Sequence, residues 1–235
     1  MAGRGLAPDV KEAQALVMAG LVFSGTERLE KPGALLPEDS VLSVRVKEHG
    51  FVSRGGVKLQ GALDYWKLNL RGLRCVDFGA STGGFTDCLL KAGVGFVYAV
   101  DSGTNQLDWK LRQHPKVKSM ERTNARELKA ADLEGEVDFG CLDLSFIGLA
   151  KVFPALQRVL KAGAFWVALV KPQFEAAPSE VPEGGVITDA DLRARICDHV
   201  VESARGAGLG PIEVRESSLP GKDGNVEFLL LGQKI

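Results

Sequence analysis

The sequence is short of what a metal centre needs. It holds four cysteines and three histidines in 235 residues, and Cys75, Cys88, Cys141 and Cys197 stand 13, 53 and 56 residues apart. No CxxC pair exists, which argues against zinc. Each cysteine lies among apolar neighbours and reads as a buried reduced thiol. His49, His114 and His199 show no ligand spacing. No apolar run approaches the ~20 residues of a membrane helix. The opening MAGRGLAPDVKEAQ lacks the apolar core of a signal peptide, so the expected location is cytoplasmic. Net charge is nearly absent as well. The 29 Lys and Arg stand against 30 Asp and Glu, which argues against a strongly basic nucleic-acid binder.

What is present is enough apolar sequence for a sizeable core, 45% of the chain. Residues 1–50 read as a small α+β module. Pro8 to Ala19 has Val10, Ala13, Leu16 and Val17 at helical spacing, with Gly20 as its stop, and VLSVRV alternates like a strand. Residues 51–235 have another rhythm. A helix over Val52 to Trp66 carries Val57, Leu59, Leu63 and Trp66 on one face. RCVDFG, FVYAVD, VKSME, VDFGCLDLSF and AFWVALVKP then read as buried strands, with helices at GFTDCLLKAG and from Asp189 to Ala207. Such alternation predicts an α/β fold, a doubly wound, mostly parallel Rossmann-like sheet. IEVRES and VEFLLLG, joined by the PGKDGN turn, predict a closing hairpin that adds an antiparallel strand.

The stretch DFGASTGGFTD places a glycine loop where the first of these strands gives way to a helix. That is the edge at which open α/β sheets bind ligands. Gly79, Gly83 and Gly84 let the backbone turn tightly and approach a ligand, and Ser81 and Thr82 offer hydroxyl and N–H groups. Asp101 ends the next strand, where a carboxylate accepts the hydroxyls of a nucleoside ribose. The spacing is GxxxGG, which fails the dinucleotide pattern GxGxxG, and no lysine follows Gly84 as a phosphate loop requires. Asp77 would repel pyrophosphate but suits a cationic amino-acid tail. S-adenosylmethionine has that tail.

Four ionic residues fall near strand ends: Asp143, Lys171 and Glu227, with Lys58 on the helix before the first strand. Together they predict a catalytic group facing a reactive methyl. A ribose 2′-hydroxyl is a poor acid, so methylating it calls for a base and precise aim. Lys171 is the candidate base and Asp143 its orienting partner, with Lys58 and Glu227 holding the hydroxyl and each other. Desolvation favours a neutral lysine, whereas close carboxylates favour the charged form. For an RNA-facing surface the candidates are Arg45, Lys47 and Arg54, and the run from Lys110 to Lys129, which includes Arg112 and carries seven Lys or Arg against two Glu.

DFGASTGGFTDCLL, YAVD, QLDWKLRQ, ERTNAR, LDLSFI, LVKPQFE, GNVEFLL and FVSRGGVKL together resemble the TlyA-type ribosomal RNA methyltransferases, also labelled haemolysin A, over nearly the whole chain. The resemblance implies an FtsJ-like class I methyltransferase domain over 51–235. It implies an RNA-binding module of the ribosomal-protein-S-four type over 1–50. S-adenosyl-L-methionine is the implied donor, and a cytidine 2′-hydroxyl of ribosomal RNA within a ribosomal subunit the implied acceptor. The family's Lys-Asp-Lys-Glu tetrad falls on Lys58, Asp143, Lys171 and Glu227. Its cofactor loop falls on Asp77, Gly79, Ala80, Ser81, Thr82, Gly83, Gly84, Phe85 and Thr86. Asp101 matches the ribose acid, and Asn124 stands where the adenine edge is read. Only MAG precedes Arg4, so the small module is expected to lack most of its first helix. Three other functions compete: a binding or ribosome-assembly protein without catalysis, a membrane-active haemolysin, and a small-molecule methyltransferase. The intact tetrad speaks against the first, the want of an amphipathic cationic helix against the second, and the first fifty residues against the third.

Overall fold

A computed structural model describes every residue except Ala19, Glu30, Glu38, residues 45–49 and Lys222, with Ala15 described in its backbone alone. The chain divides into two compact units, Met1–Gly50 and Phe51–Ile235.

In the first unit, Asp9 accepts the Glu12 N–H at 2.7 Å and so opens α1 (Val10–Met18). β1 (Val22–Ser24) pairs antiparallel with both β2 (Glu27–Arg28) and β3 (Leu42–Val44). Core is scarce here: among the described residues only Ala7, Val17 and Val22 are buried apolar side chains. Val10 is 66% exposed, so the stripe it shares with Ala13, Leu16 and Val17 is not buried along its whole length. Val10 is the first residue of the helix, and the inward stripe begins a turn later, at Ala13.

The second unit starts with α2 (Arg54–Tyr65). It continues through β4 (Arg74–Phe78), α3 (Gly84–Lys91), β5 (Phe96–Val100), the short α4 (Trp109–Arg112) and β6 (Val117–Met120). β7 (Val137–Leu142), α5 (Phe153–Val159), β8 (Leu160–Val170) and α6 (Pro172–Glu175) follow, then α7 (Ala190–Gly206), β9 (Leu209–Glu216) and β10 (Phe228–Lys234). The strands form one sheet in the order β6-β5-β4-β7-β8-β10-β9. β6 to β8 run parallel, and β10 lies antiparallel between β8 and β9. Each face carries its own core. Val76, Phe78, Phe153 and Trp166 lie on one side, and Leu59, Cys75, Phe85, Leu89 and Phe139 on the other. Both faces are covered, so the central strands read as continuous apolar runs. From β4 the chain winds outward first through β5 and β6, then through β7 and β8. The switch therefore lies between β4 and β7, where ligands of such sheets bind.

α2 and α3 touch through glycine. A Cβ on Gly84 would stand 2.1 Å from Ser53 Oγ and 2.9 Å from the Gly56 nitrogen. A hydroxyl swings aside, but a backbone nitrogen in a packed helix does not. We expect Gly84→Ala to cost about 1–3 kcal/mol by overpacking, more than the ~1 kcal/mol alanine returns in helix propensity. Urea unfolding of the two proteins measures it, and an unchanged midpoint would refute the close contact.

Candidate active site

The glycine loop leaves β4 at Phe78. Gly79 has φ 84°, and a Cβ there would stand 2.5 Å from the Asp143 carbonyl oxygen, so only glycine lets β7's continuation pass. The Gly79 and Ala80 N–H groups both donate to Val100 O, at 2.8 and 3.0 Å, folding the chain over the end of β5. Asp101 clamps the turn from the far side: Oδ2 accepts the Ser81 N–H and Oδ1 the Gly103 N–H, each at 2.7 Å. Ser81 and Thr82 face outward. Gly83, with φ 96°, is the N-cap of α3 and has no side chain to cap with. Among the described residues the Thr86 N–H of the first turn is directed to the Asp77 carboxylate, while those of Gly84 and Phe85 have no side-chain acceptor and point to where an anion is favoured. Phe85 is 2% exposed and packs into the core beside α2; it supports the loop from within.

Strand alternation turns Asp77 to the same face as Cys75, beneath α3. There its carboxyl is fully buried. Oδ2 accepts the Thr86 hydroxyl at 2.6 Å, whereas Oδ1 has no hydrogen-bond partner among the described residues. Burial pushes this carboxyl up to about 7; the Thr86 hydrogen bonds pull it down, and the nearby Asp143 carboxylate pushes it further up. A half-satisfied buried carboxylate beside a row of open N–H groups fits the ammonium and carboxylate of a zwitterionic amino-acid tail.

The tetrad is assembled by register. Phe78 stands beside Leu142, and Phe228 opposite Val170. Asp143 therefore leaves β7 next to Gly79, and Lys171 and Glu227 follow at adjoining ends of β8 and β10. Lys171 Nζ lies 2.6 Å from Asp143 Oδ1 and donates to Ser145 Oγ at 3.1 Å. Lys58, buried on α2 rather than solvated, forms an ion pair with Glu227, which is 3% exposed. α2 links the two pairs: a Cβ on Gly55 would lie 3.3 Å from Asp143 Oδ2, and Gly55 shares a helix face with Lys58 three residues on. Gly221 makes room for the Glu227 carboxylate, since a Cβ there would stand 2.6 Å from Oε1. Buried Asn225 secures this turn through the Ile187 N–H at 3.0 Å and the Gly185 carbonyl at 2.9 Å.

Among the described residues, the remaining predicted ones form no hydrogen bond or ion pair with the tetrad side chains, although Arg54 adjoins Gly55 at the tetrad's edge. Asn124 caps a short turn, its Oδ1 accepting the Arg126 N–H at 3.2 Å and its Nδ2 donating to Glu127 at 2.9 Å. Thr123 N–H, next to it, donates to Asp101 O at 2.9 Å. Arg54 donates to Pro220 O at 2.7 Å, and Lys110 is exposed. Arg112 is held by Glu121 at 2.5 and 3.2 Å, and Lys118 by Glu134 at 2.9 Å. Part of the basic run's charge is thus neutralised within the fold. Arg45 and Lys47 lie outside the described residues. Three residues escaped sequence reasoning: Ser145, Phe146 and Glu175. Phe146 has φ 65° and is 90% exposed, its ring centroid 5.0 Å from that of Phe174. A phenylalanine in an apolar run carries no sequence signal of exposure.

The four cysteines are buried thiols. Among the described residues no three His, Cys, Asp or Glu side chains gather as metal ligands, and no helix is long and apolar enough to cross a membrane.

Residues 51–234 match the FtsJ-like methyltransferase family. The 16S/23S rRNA (cytidine-2′-O)-methyltransferase TlyA of Mycobacterium tuberculosis is 44% identical over 228 residues, covering 97% of this chain and 85% of that protein. Hemolysin A of Brachyspira hyodysenteriae is 36% identical over 219 residues, covering 93% of this chain and 91% of its own. A solved structure from Streptococcus thermophilus superposes with a TM-score of 0.78 at 39% identity, covering 98% of this chain and 85% of that one.

Proposed function

The chain belongs to the FtsJ-like methyltransferase family, and on that footing we propose that it methylates the 2′-oxygen of a cytidine in ribosomal RNA, with S-adenosylmethionine as donor. One observation carries the reading: two lysine–carboxylate pairs meet at the switch-point edge, beside a loop built for an amino-acid tail. Bound there, S-adenosylmethionine supplies an electrophilic methyl on a sulfonium.

The chain's own residues do the rest. The open N–H groups of α3 hold the tail's carboxylate, and Asp77 Oδ1 its ammonium. Asp101 uses one lone pair on each oxygen to hold the loop and keeps others for ribose hydroxyls. Lys171 Nζ, once it has yielded its own proton to solvent, takes the proton of the acceptor hydroxyl, and Asp143 Oδ1 and Ser145 Oγ hold the ammonium that re-forms. The Lys58–Glu227 pair aims the hydroxyl oxygen. With both lysines protonated, the two pairs themselves carry no net charge to repel a phosphate backbone. Phe146 offers an exposed face on which an unstacked base can rest. Residues 1–50, as a module of the ribosomal-protein-S-four type, and exposed Lys110 and Arg54 add docking contacts in the cytoplasm, where ribosomal subunits are found. The M. tuberculosis relative, by its name a cytidine-2′-O rRNA methyltransferase, supports this choice of acceptor.

Incubation with labelled donor and isolated ribosomal subunits, followed by mapping of bonds resistant to alkaline cleavage, tests the reading. A resistant bond 3′ to a cytidine is expected. Label confined to a base, or absent from both subunits, would end it.

A further inference from the structure

The sequence LVKPQFE ends in Glu175, a residue for which the tetrad has no use. Its carboxylate nevertheless does a definite job. Both oxygens accept the Leu149 N–H, Oε1 at 2.9 Å and Oε2 at 3.2 Å. Leu149 begins a short turn whose N-cap is Gly148, a residue with no capping side chain. Glu175 supplies that cap from another element. Gly148 fits against it closely: a Cβ there would stand 3.2 Å from Oε2. Leu149 itself is 1% exposed, anchored in the core.

Two segments are thereby fastened together. One is the loop from Asp143 to Leu149, the other the turn from Lys171 to Glu175. Their contacts follow in order: Lys171 to Asp143 at 2.6 Å, Lys171 to Ser145 at 3.1 Å, the Phe174 ring against that of Phe146 at 5.0 Å, and Glu175 to Leu149. Glu175 closes the far end of this clasp. We propose, resting on the reading of Lys171 and Asp143 above, that Glu175 is a positioning residue: its carboxylate holds the Asp143–Leu149 loop against the Lys171 turn, so that the Lys171–Asp143 pair is aimed before substrate arrives.

Burial pushes the Glu175 carboxyl up to about 7, against the pull of the Leu149 N–H. Below that pH it is protonated and one acceptor oxygen is lost; above it both are available. The groups around it are few. Cys197 of α7 is near: burial chiefly, then Asp198 and Glu175, push its thiol up to about 12. Arg195 and His199 of α7, and Glu180, line a cavity of about 380 Å³ beside Glu175, and Arg195 lies 3.6 Å from Glu180. From the Asp143–Leu149 loop, among the described residues, the Leu149 N–H and uncharged Gly148 face it.

Three variants and three readouts test the proposal. Glu175→Ala should lower kcat about 10- to 100-fold, since small misplacement of a catalytic group costs that much, with donor affinity within about twofold. Glu175→Gln keeps the shape and one acceptor but cannot ionise. Its kcat should lose the part of the rise between about pH 6 and about pH 8 that the wild type owes to Glu175, leaving only the part set by the Lys171 base, while His199→Asn retains the whole rise. The 15Nζ resonance of Lys171, read without any RNA, should move in Glu175→Ala. An unmoved resonance overturns the proposal, as does full kcat per folded molecule in Glu175→Ala, a wild-type pH profile in Glu175→Gln, or loss of the rise in His199→Asn. If the wild type transfers no methyl to ribosomal RNA, the acceptor assignment fails while the resonance still decides the role of Glu175.

Discussion

Lys171→Ala is expected to slow methyl transfer by about 10²- to 10⁴-fold, the usual worth of a positioned general base. Donor affinity should stay within a few-fold, because the loop, Asp77 and Asp101 hold the donor without Lys171. The structure makes the loss compound. Lys171 Nζ lies 2.6 Å from Asp143 Oδ1, in side chains only 12% and 24% exposed. Without its cation, Asp143 is left as a largely buried carboxylate near another, Asp77, whose carboxyl it already pushes up. Single-turnover incorporation, with folding checked by melting, separates rate from stability. Lys171→Arg is the sharper variant. Arginine keeps the ion pair but stays protonated throughout the working range, so it cannot take a proton. Near-wild-type turnover in Lys171→Arg would refute the assignment of Lys171 as base and leave it an electrostatic partner.

Asp77→Asn should make the protein more stable at alkaline pH and weaker as a donor binder. The Asp77 carboxyl is raised from 3.8 to about 7, chiefly by burial. For a carboxyl raised in the folded state, the stabilisation is complete below the unfolded value and lost as pH climbs through the folded one. Each pH unit in that window is worth about 1.4 kcal/mol, so above about pH 7 the ionised group costs on the order of 4 kcal/mol. Asparagine has no charge to bury, so the gap between wild type and variant should open between about pH 4 and about pH 7 and then stay level. The same carboxyl should couple donor binding to protons. A cationic tail on Oδ1 favours the ionised form, so the affinity of the wild type should rise about tenfold per pH unit below about 7, with release of a proton. Calorimetry in two buffers of different ionisation heat reads that proton directly. Equal donor affinity in Asp77→Asn, or binding without proton release, would remove Asp77 from the donor site.

Much of the architecture was legible because burial on both faces leaves an unmistakable trace. FVYAV and WVALV are continuous apolar runs, RCVDF is apolar but for Arg74 and Asp77, and each proved to be an inner strand of the sheet. The loop was legible for a related reason. Glycines at 79 and 83 adopt positive φ, and a strand followed by such glycines and a helix has few uses. Charge patches were read less well. The run from Lys110 to Lys129 looked like an open basic surface, yet Arg112 and Lys118 are bound to Glu121 and Glu134. Linear counting cannot see a partner brought in by a fold.

Composition and pattern alone were enough to establish the α/β class and the glycine turn after β4, and to single out the candidate ionic residues, because each depends on local alternation, turn chemistry or position at a strand end. They could not establish which lysine meets which carboxylate. Lys58 and Glu227 are 169 residues apart, and their meeting depends on β10 entering the sheet between β8 and β9. Nor could they reveal Glu175 as the cap of Leu149, or Ser145 as a second acceptor for Lys171. Periodicity reports the face on which a residue lies. The partner it meets there is set by register between distant segments, and that exists only once the sheet has closed.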